Sequence, residues 1–191
     1  MNIYQIFTRL YGACQPANNL PNGTIADNGV AKFNDFTADT LQRIKDYGFT
    51  HVWFTGVLEH ATQTDYSRYG IHLDHPWIVK GRAGSPYAIK DYFDVDPDLA
   101  EDVPNRMAEF EALLERTHKA GLKFVIDFVP NHVARSYHSD AAPKGFDDLG
   151  AGDDEELAFT PRNNFYYCWG EPLHTENFVE AEQGGVPYLE Y

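Results

Sequence analysis

The residues best placed to do chemistry follow one apolar run, Lys123 to His132, which reads Lys-Phe-Val-Ile-Asp-Phe-Val-Pro-Asn-His. Phe124, Val125, Ile126, Phe128 and Val129 predict a strand buried on both faces, as in a parallel sheet. Asp127 interrupts it. A carboxylate in apolar surroundings must be solvated, hydrogen-bonded or paired, so the strand end opens onto something polar. Pro130 lacks an N–H and ends the ladder, which frees Asn131 and His132 to turn toward whatever lies above the strand end. In α/β folds ligands bind there. A neutral imidazole can donate a hydrogen bond at neutral pH, and an amide oxygen suits a hard cation. A carboxylate at such a place can also simply hold neighbouring strand ends together.

Other residue types invite chemistry less strongly. His72 and His75 flank Asp74 in a proline-bearing loop, but no third ligand is in view for a transition metal. Cys14 and Cys168 form no metal-binding pattern and are too few to staple a fold, although a single bridge between them stays open. Asp147, Asp148, Asp153, Asp154, Glu155 and Glu156 read as a solvated acidic loop. Aromatic residues make up 15% of the chain; they can fill a bulky core or offer flat faces on which sugar rings stack. Fifteen basic residues against 29 acidic ones give a net charge of −14. That opposes nonspecific binding to nucleic acid or an anionic membrane and suits a neutral or cationic ligand.

The elements that position these residues alternate. A strand over Asn2 to Thr8 leads into a loop rich in Asn, Pro and Gly that runs to Gly29. Phe36, Thr40, Leu41 and Ile44 recur at helical spacing and close on Tyr47-Gly48; Phe49 to Phe54 follows as a second buried strand. A second helix over Pro104 to Ala120 carries Met107, Phe110, Leu113, Leu114 and Thr117 on one face, with Glu109, Glu111, Glu115, Arg116 and Lys119 on the solvated side. The Lys123 strand repeats the unit. Strand, helix, strand implies right-handed crossovers and parallel pairing. Two segments, Thr55 to Val103 and Val133 to Tyr191, are too long for plain connectors and leave the carboxyl ends of strands. No apolar run approaches the ~20 residues that span a bilayer, and the first residues alternate like a strand instead of forming a leader. A mature, cytoplasmic chain is expected.

Asp127-Phe-Val-Pro-Asn131-His132 resembles the first signature region of the alpha-amylase family of glycoside hydrolases. Three further landmarks agree in order over roughly residues 1 to 132. Ile3-Tyr-Gln-Ile-Phe7 resembles the first barrel strand, Leu41 to Phe54 the helix and second strand, and Ser85-Pro-Tyr87-Ala-Ile-Lys-Asp91-Tyr-Phe-Asp-Val-Asp96-Pro the segment before the second long helix. The resemblance implies a (β/α)8 barrel, of which residues 1–132 would be the N-terminal part with three strands and two main helices. Residues 133–191 would begin an inserted domain B. A barrel of this kind needs ~250 residues. The family's nucleophilic aspartate, acid/base glutamate and third carboxylate follow later strands, so no catalytic residue is assigned here.

By the same resemblance, Tyr87 would stack under the sugar being cleaved, His132 would donate to one of its hydroxyls, and Asp127 would support the site. Asn131 would be a calcium ligand tying the barrel to domain B. Ser85-Pro86 stands where related sequences often have a glycine. The implied partner is an alpha-glucan or maltooligosaccharide, together with the remainder of the barrel, with neither nucleic acid nor membrane. The expected activity is hydrolysis of alpha-linked glucans by a retaining mechanism in the complete enzyme, with the fragment alone inactive. A transglycosidase or isomerase of the same superfamily is the alternative, as is a non-catalytic saccharide-binding or complementation piece.

Overall fold

A computed structural model describes residues 1–12, 20 and 23–170. The chain divides into two compact units, Met1–Lys144 and Gly145–Tyr191. In the first, β1 (Ile3–Phe7), β2 (His51–Thr55) and β5 (Lys123–Ile126) form a parallel sheet in the order β1-β2-β5. Helix α2 (Ala38–Asp46) connects β1 to β2, and helix α3 (Arg106–Lys119) leads into β5. A single helical turn, α1 (Ile25–Asn28), lies in the loop after β1.

Register follows from which side chains must be dry. Val52 lies opposite Tyr4 and Phe124, and Phe54 opposite Ile6 and Ile126. Both β2 residues are fully buried, so a one-residue slip would turn this set to the other face of the sheet. The buried face packs on the helices through aromatic rings. Phe54 stacks on Phe124 at 4.6 Å between centroids and meets Phe36 edge-on at 5.2 Å. Phe110 of α3 meets Phe124 at 5.6 Å. Helix α2 starts at Thr37, whose hydroxyl accepts from the Thr40 amide, a cap worth ~1 kcal/mol.

Three expectations are corrected here. Strand β5 ends at Ile126, four residues long, and is half-buried; Phe128 is 68% exposed. The reason is that, among the described residues, β5 has only β2 beside it and so forms a sheet edge. Helix α3 begins at Arg106 after a 3₁₀ turn that contains Pro104. Finally, Glu109 and Arg116 bond to backbone and are not merely solvated: Glu109 accepts from the Glu101 and Asp102 amides, and Arg116 donates to the Phe33 and Phe36 carbonyls.

The long segment after β2 holds an antiparallel hairpin, β3 (Leu58–His60) and β4 (Ile89–Val95), with two register shifts. Its core is ionic. Lys90, 2% exposed, lies 3.2 Å from Asp74 and 3.7 Å from Glu59, and Arg106 pairs with Asp94. Residues 134–141 lie along this hairpin. The Ala134 amide donates to the Ile89 carbonyl and the His138 amide to that of Lys90. Ser136 donates to Asp74, and Ser139 to both oxygens of Asp91. In the second unit, Asp153 accepts from the Asn164 and Phe165 amides and the Tyr167 hydroxyl. Part of the acidic stretch therefore organises a turn. No helix among the described residues is long and apolar enough to cross a membrane.

Burial pushes the Glu59 carboxyl up to about 8, against the pull of Lys90. The unfolded chain releases that proton near pH ~4.3, while the native state keeps it. Stability attributable to Glu59 is therefore full below that pH and falls as pH rises toward about 8. Glu59→Gln has no proton to lose, so its melting temperature should fall several degrees less than the parent's between about pH 5 and about pH 8. Equal falls in both proteins would show Glu59 already ionised at the lower pH.

Candidate functional site

Side chains on a strand alternate between faces, and residues 123, 125 and 127 continue one series. Val125 is paired with Trp53, so Asp127, one step past the strand, reaches the same face as that indole. Trp53 Nε1 donates to Asp127 Oδ1, and the Gly56 amide donates to Oδ2 at 3.1 Å. Both carboxylate oxygens are thus held by groups at the end of β2. Gly56, at φ 74°, is needed: a Cβ there would lie 2.6 Å from the Pro86 Cβ. One peptide therefore touches Asp127 on one side and, on the other, the loop that carries Tyr87.

Tyr87 is 47% exposed. The turn around it closes with the Ala88 amide donating to the Ser85 carbonyl at 2.9 Å. Gly84 before it, at φ 73°, is pressed so close that a Cβ would overlap the Ala61 carbonyl oxygen. Asn131 and His132 are exposed in the segment after β5. Their backbone is held from β4: the Tyr92 hydroxyl donates to the Val129 carbonyl and lies 3.4 Å from that of His132. Sequence reasoning missed Tyr92, Gly56 and Gly84. They act on segments distant in sequence, Tyr92 through its hydroxyl and the glycines by close backbone approach, and no local spacing reveals it.

Beneath the hairpin lies a second polar group. His60 and Asp96, both buried, approach to 3.2 Å. Burial pulls the His60 imidazolium down, but the nearby Asp96 carboxylate together with the Ala61 carbonyl outweighs it, and the net shift is upward. Asp98 is pushed up to about 6 by burial and by Asp96, against the hydrogen bond from Tyr66. That bond is 2.7 Å.

The metal readings separate. His72 contacts Asp140 and the Ser136 carbonyl, Asp74 accepts from Thr62 and Ser136, and His75 caps a 3₁₀ turn. His72 and Asp74 share Ser136 and His75 turns to the Trp77 amide, and the three do not group as metal ligands among the described residues. Among the described residues, Glu59, Asp91 and Asp94 are close enough to share an ion. Lys90 and Arg106 already pair with two of them, and Ser139 and the Ala141 amide occupy Asp91. At Asn131 the described residues bring one neutral amide oxygen and no grouped carboxylates, against the six to eight oxygens that calcium takes. These residues alone do not make a calcium site. Cys168 is exposed, and Cys14 lies outside the described residues.

Removing the Asp127 carboxylate leaves the Trp53 indole N–H and the Gly56 amide without acceptors. Asp127→Ala should cost ~1–3 kcal/mol in a urea titration, and Asp127→Asn, which keeps an acceptor oxygen, clearly less. Equal losses would mean that the charge matters more than the two hydrogen bonds.

The model of the family described as "Alpha amylase, catalytic domain" matches residues 35–177. Maltase A1 of Drosophila melanogaster is 25% identical over 131 residues, 69% of this chain and 16% of that protein. Cyclomaltodextrin glucanotransferase of Niallia circulans is 27% identical over 150 residues, 73% of this chain and 19% of that protein. An alpha-amylase crystal structure from Lactobacillus plantarum is 31% identical, with a TM-score of 0.47, over 71% of this chain and 24% of its own. The chain thus spans less than a fifth of the length of these two curated relatives. With three-quarters of its residues inside the family match, and three parallel strands joined through helices, the chain belongs to the alpha-amylase catalytic-domain family and is part of its (β/α)8 barrel.

Proposed function

We propose that these residues form part of the sugar-holding wall of a retaining glycosidase that acts on alpha-linked glucans. The observation that carries the reading is a braced carboxylate at the strand end, Asp127, followed within the same short segment by an exposed imidazole, His132, inside the family match. In this reading Tyr87 offers its ring to the C–H face of a glucose unit and His132 donates to a hydroxyl. Asp127 holds the strand ends in place and does not touch the bond being broken. Fixing the sugar's geometry is itself catalytic, because it removes orientational freedom before the reaction begins. Asn131 contributes one oxygen to a calcium ion whose other ligands come from elsewhere.

Retaining hydrolysis needs two carboxyl groups ~5 Å apart across the glycosidic bond, one protonated and one ionised. The carboxylates clustered on the β3–β4 hairpin are buried and already engaged with Lys90, Arg106 and serine hydroxyls. They are poorly placed for attack on a sugar. The nucleophile and the acid/base belong to the remainder of the barrel, which is the partner these residues require. Hydrolysis and glucosyl transfer share this part of the site, so the choice between them rests outside it.

Purified chain titrated with maltoheptaose should bind it saturably and release no new reducing ends. Tyr87→Ala and His132→Ala should each weaken binding about tenfold, the loss of a stacking face or one hydrogen bond in a small contact. New reducing ends from the purified chain would overturn the division of labour. Unchanged binding in both variants would overturn the assignment of the sugar-holding residues.

A further inference from the structure

Tyr87 is exposed, yet the loop that carries it is fixed at nearly every neighbouring residue. On one side, the Arg82 carbonyl accepts from the Gln63 amide at 2.8 Å; on the other, the Ala88 carbonyl accepts from the Ala61 amide at 3.0 Å. Between them, Gly84 lies against the Ala61 carbonyl and Pro86 against Gly56. Two consecutive carbonyls, of Ala83 and Gly84, point to one side chain. Arg9 Nη1 donates to the Ala83 oxygen at 2.8 Å and Nη2 to the Gly84 oxygen at 3.1 Å.

Arg9 is itself set in place. It lies in the 3₁₀ turn Thr8–Leu10 that follows β1, its guanidinium lies 5.2 Å over the Phe7 ring, and its carbonyl accepts from the Ala31 amide at 2.9 Å. A planar guanidinium offers two parallel N–H groups in a rigid fork, which a lysine cannot reproduce. Two adjacent carbonyls aimed at that fork are fixed in both direction and separation.

We propose that Arg9 is the positioning residue for Tyr87: its two-pronged bond to Ala83 and Gly84 fixes the loop so that the Tyr87 ring is presented ready for a sugar. This rests on the reading of Tyr87 as a saccharide platform. It explains how the loop keeps a defined shape with Ser85-Pro86 in it. Two glycines, at 56 and 84, admit the close packing, and the arginine supplies the directional bonds. An ordered platform loses less entropy on binding than one that must be organised by the ligand.

The test combines backbone exchange with maltoheptaose binding, in the full chain, for wild type, Arg9→Lys, Tyr87→Ala and the double variant. Arg9→Lys keeps the charge and loses the fork. Amide hydrogen exchange at residues 84–88 should speed up about tenfold, while helix α3 keeps its protection. Arg9→Lys should also weaken maltoheptaose binding severalfold in the wild-type background and less than twofold when Tyr87 is already alanine, since the two act as one unit. Unchanged exchange at 84–88 overturns the proposal. So does an equal binding loss in both backgrounds, which would mean that Arg9 acts elsewhere than through Tyr87. If Tyr87→Ala leaves binding intact while Arg9→Lys loosens the loop, the clamp stands and the saccharide reading of Tyr87 falls.

Discussion

Asp127 accepts one hydrogen bond from the Trp53 indole and another from the Gly56 amide, and through them β5 is locked to the end of β2. Neither bond is replaceable by water without opening the strand ends, because the acceptor sits where the parallel ladder stops and the chain turns away. Gly56 carries this constraint onward to Pro86, so the segment after β5 and the loop bearing Tyr87 share a single contact point. The exposed side chains are placed by partners that are themselves buried or held. That suits a binding wall: the ligand meets side chains whose backbones have already lost their freedom.

A second constraint lies beneath the first. The β3–β4 hairpin carries Glu59, Lys90, Asp91, Asp94 and Asp96 almost fully buried. An apolar core would fill that space with less electrostatic risk, since ion pairs often gain little against the cost of removing charges from water. What these groups supply is direction. Asp74, paired with Lys90, reaches Ser136, Asp91 reaches Ser139, and Tyr92 reaches the Val129 carbonyl that precedes His132. The segment leaving the signature residues is thereby drawn along the hairpin. Glu59 has an oxygen with no hydrogen-bond partner among the described residues, consistent with a carboxyl that stays protonated well above its ordinary range.

Much of the scaffold was legible in the sequence, because it depends on local patterns. Leu41 and Ile44 at helical spacing, Gly48 past a helix end, and the Val52 and Phe54 alternation all translate directly into elements. The strand end was legible too: Asp127 had to find hydrogen bonds, and it does. Illegible were the features set by which particular groups meet once the chain has folded. Nothing near Arg9 announces that its fork closes on Ala83 and Gly84, and Glu109 reads as a solvated helix residue until its bonds to Glu101 and Asp102 are seen. The solvent exposure of Phe128 was unreadable for a different reason. An apolar run does not say whether a neighbouring strand is present to cover it.

The measurement that tests the account most directly is amide-type exchange at the Trp53 indole N–H, followed as its proton–nitrogen correlation. If the Asp127 carboxylate braces the strand ends, this N–H exchanges with water at least a hundredfold more slowly than a free indole, on the order of the protection that local opening allows. In Asp127→Ala that protection is lost at Trp53. An indole that exchanges at the free rate in the parent protein, or one equally protected after the substitution, would contradict the brace on which the rest of the site depends.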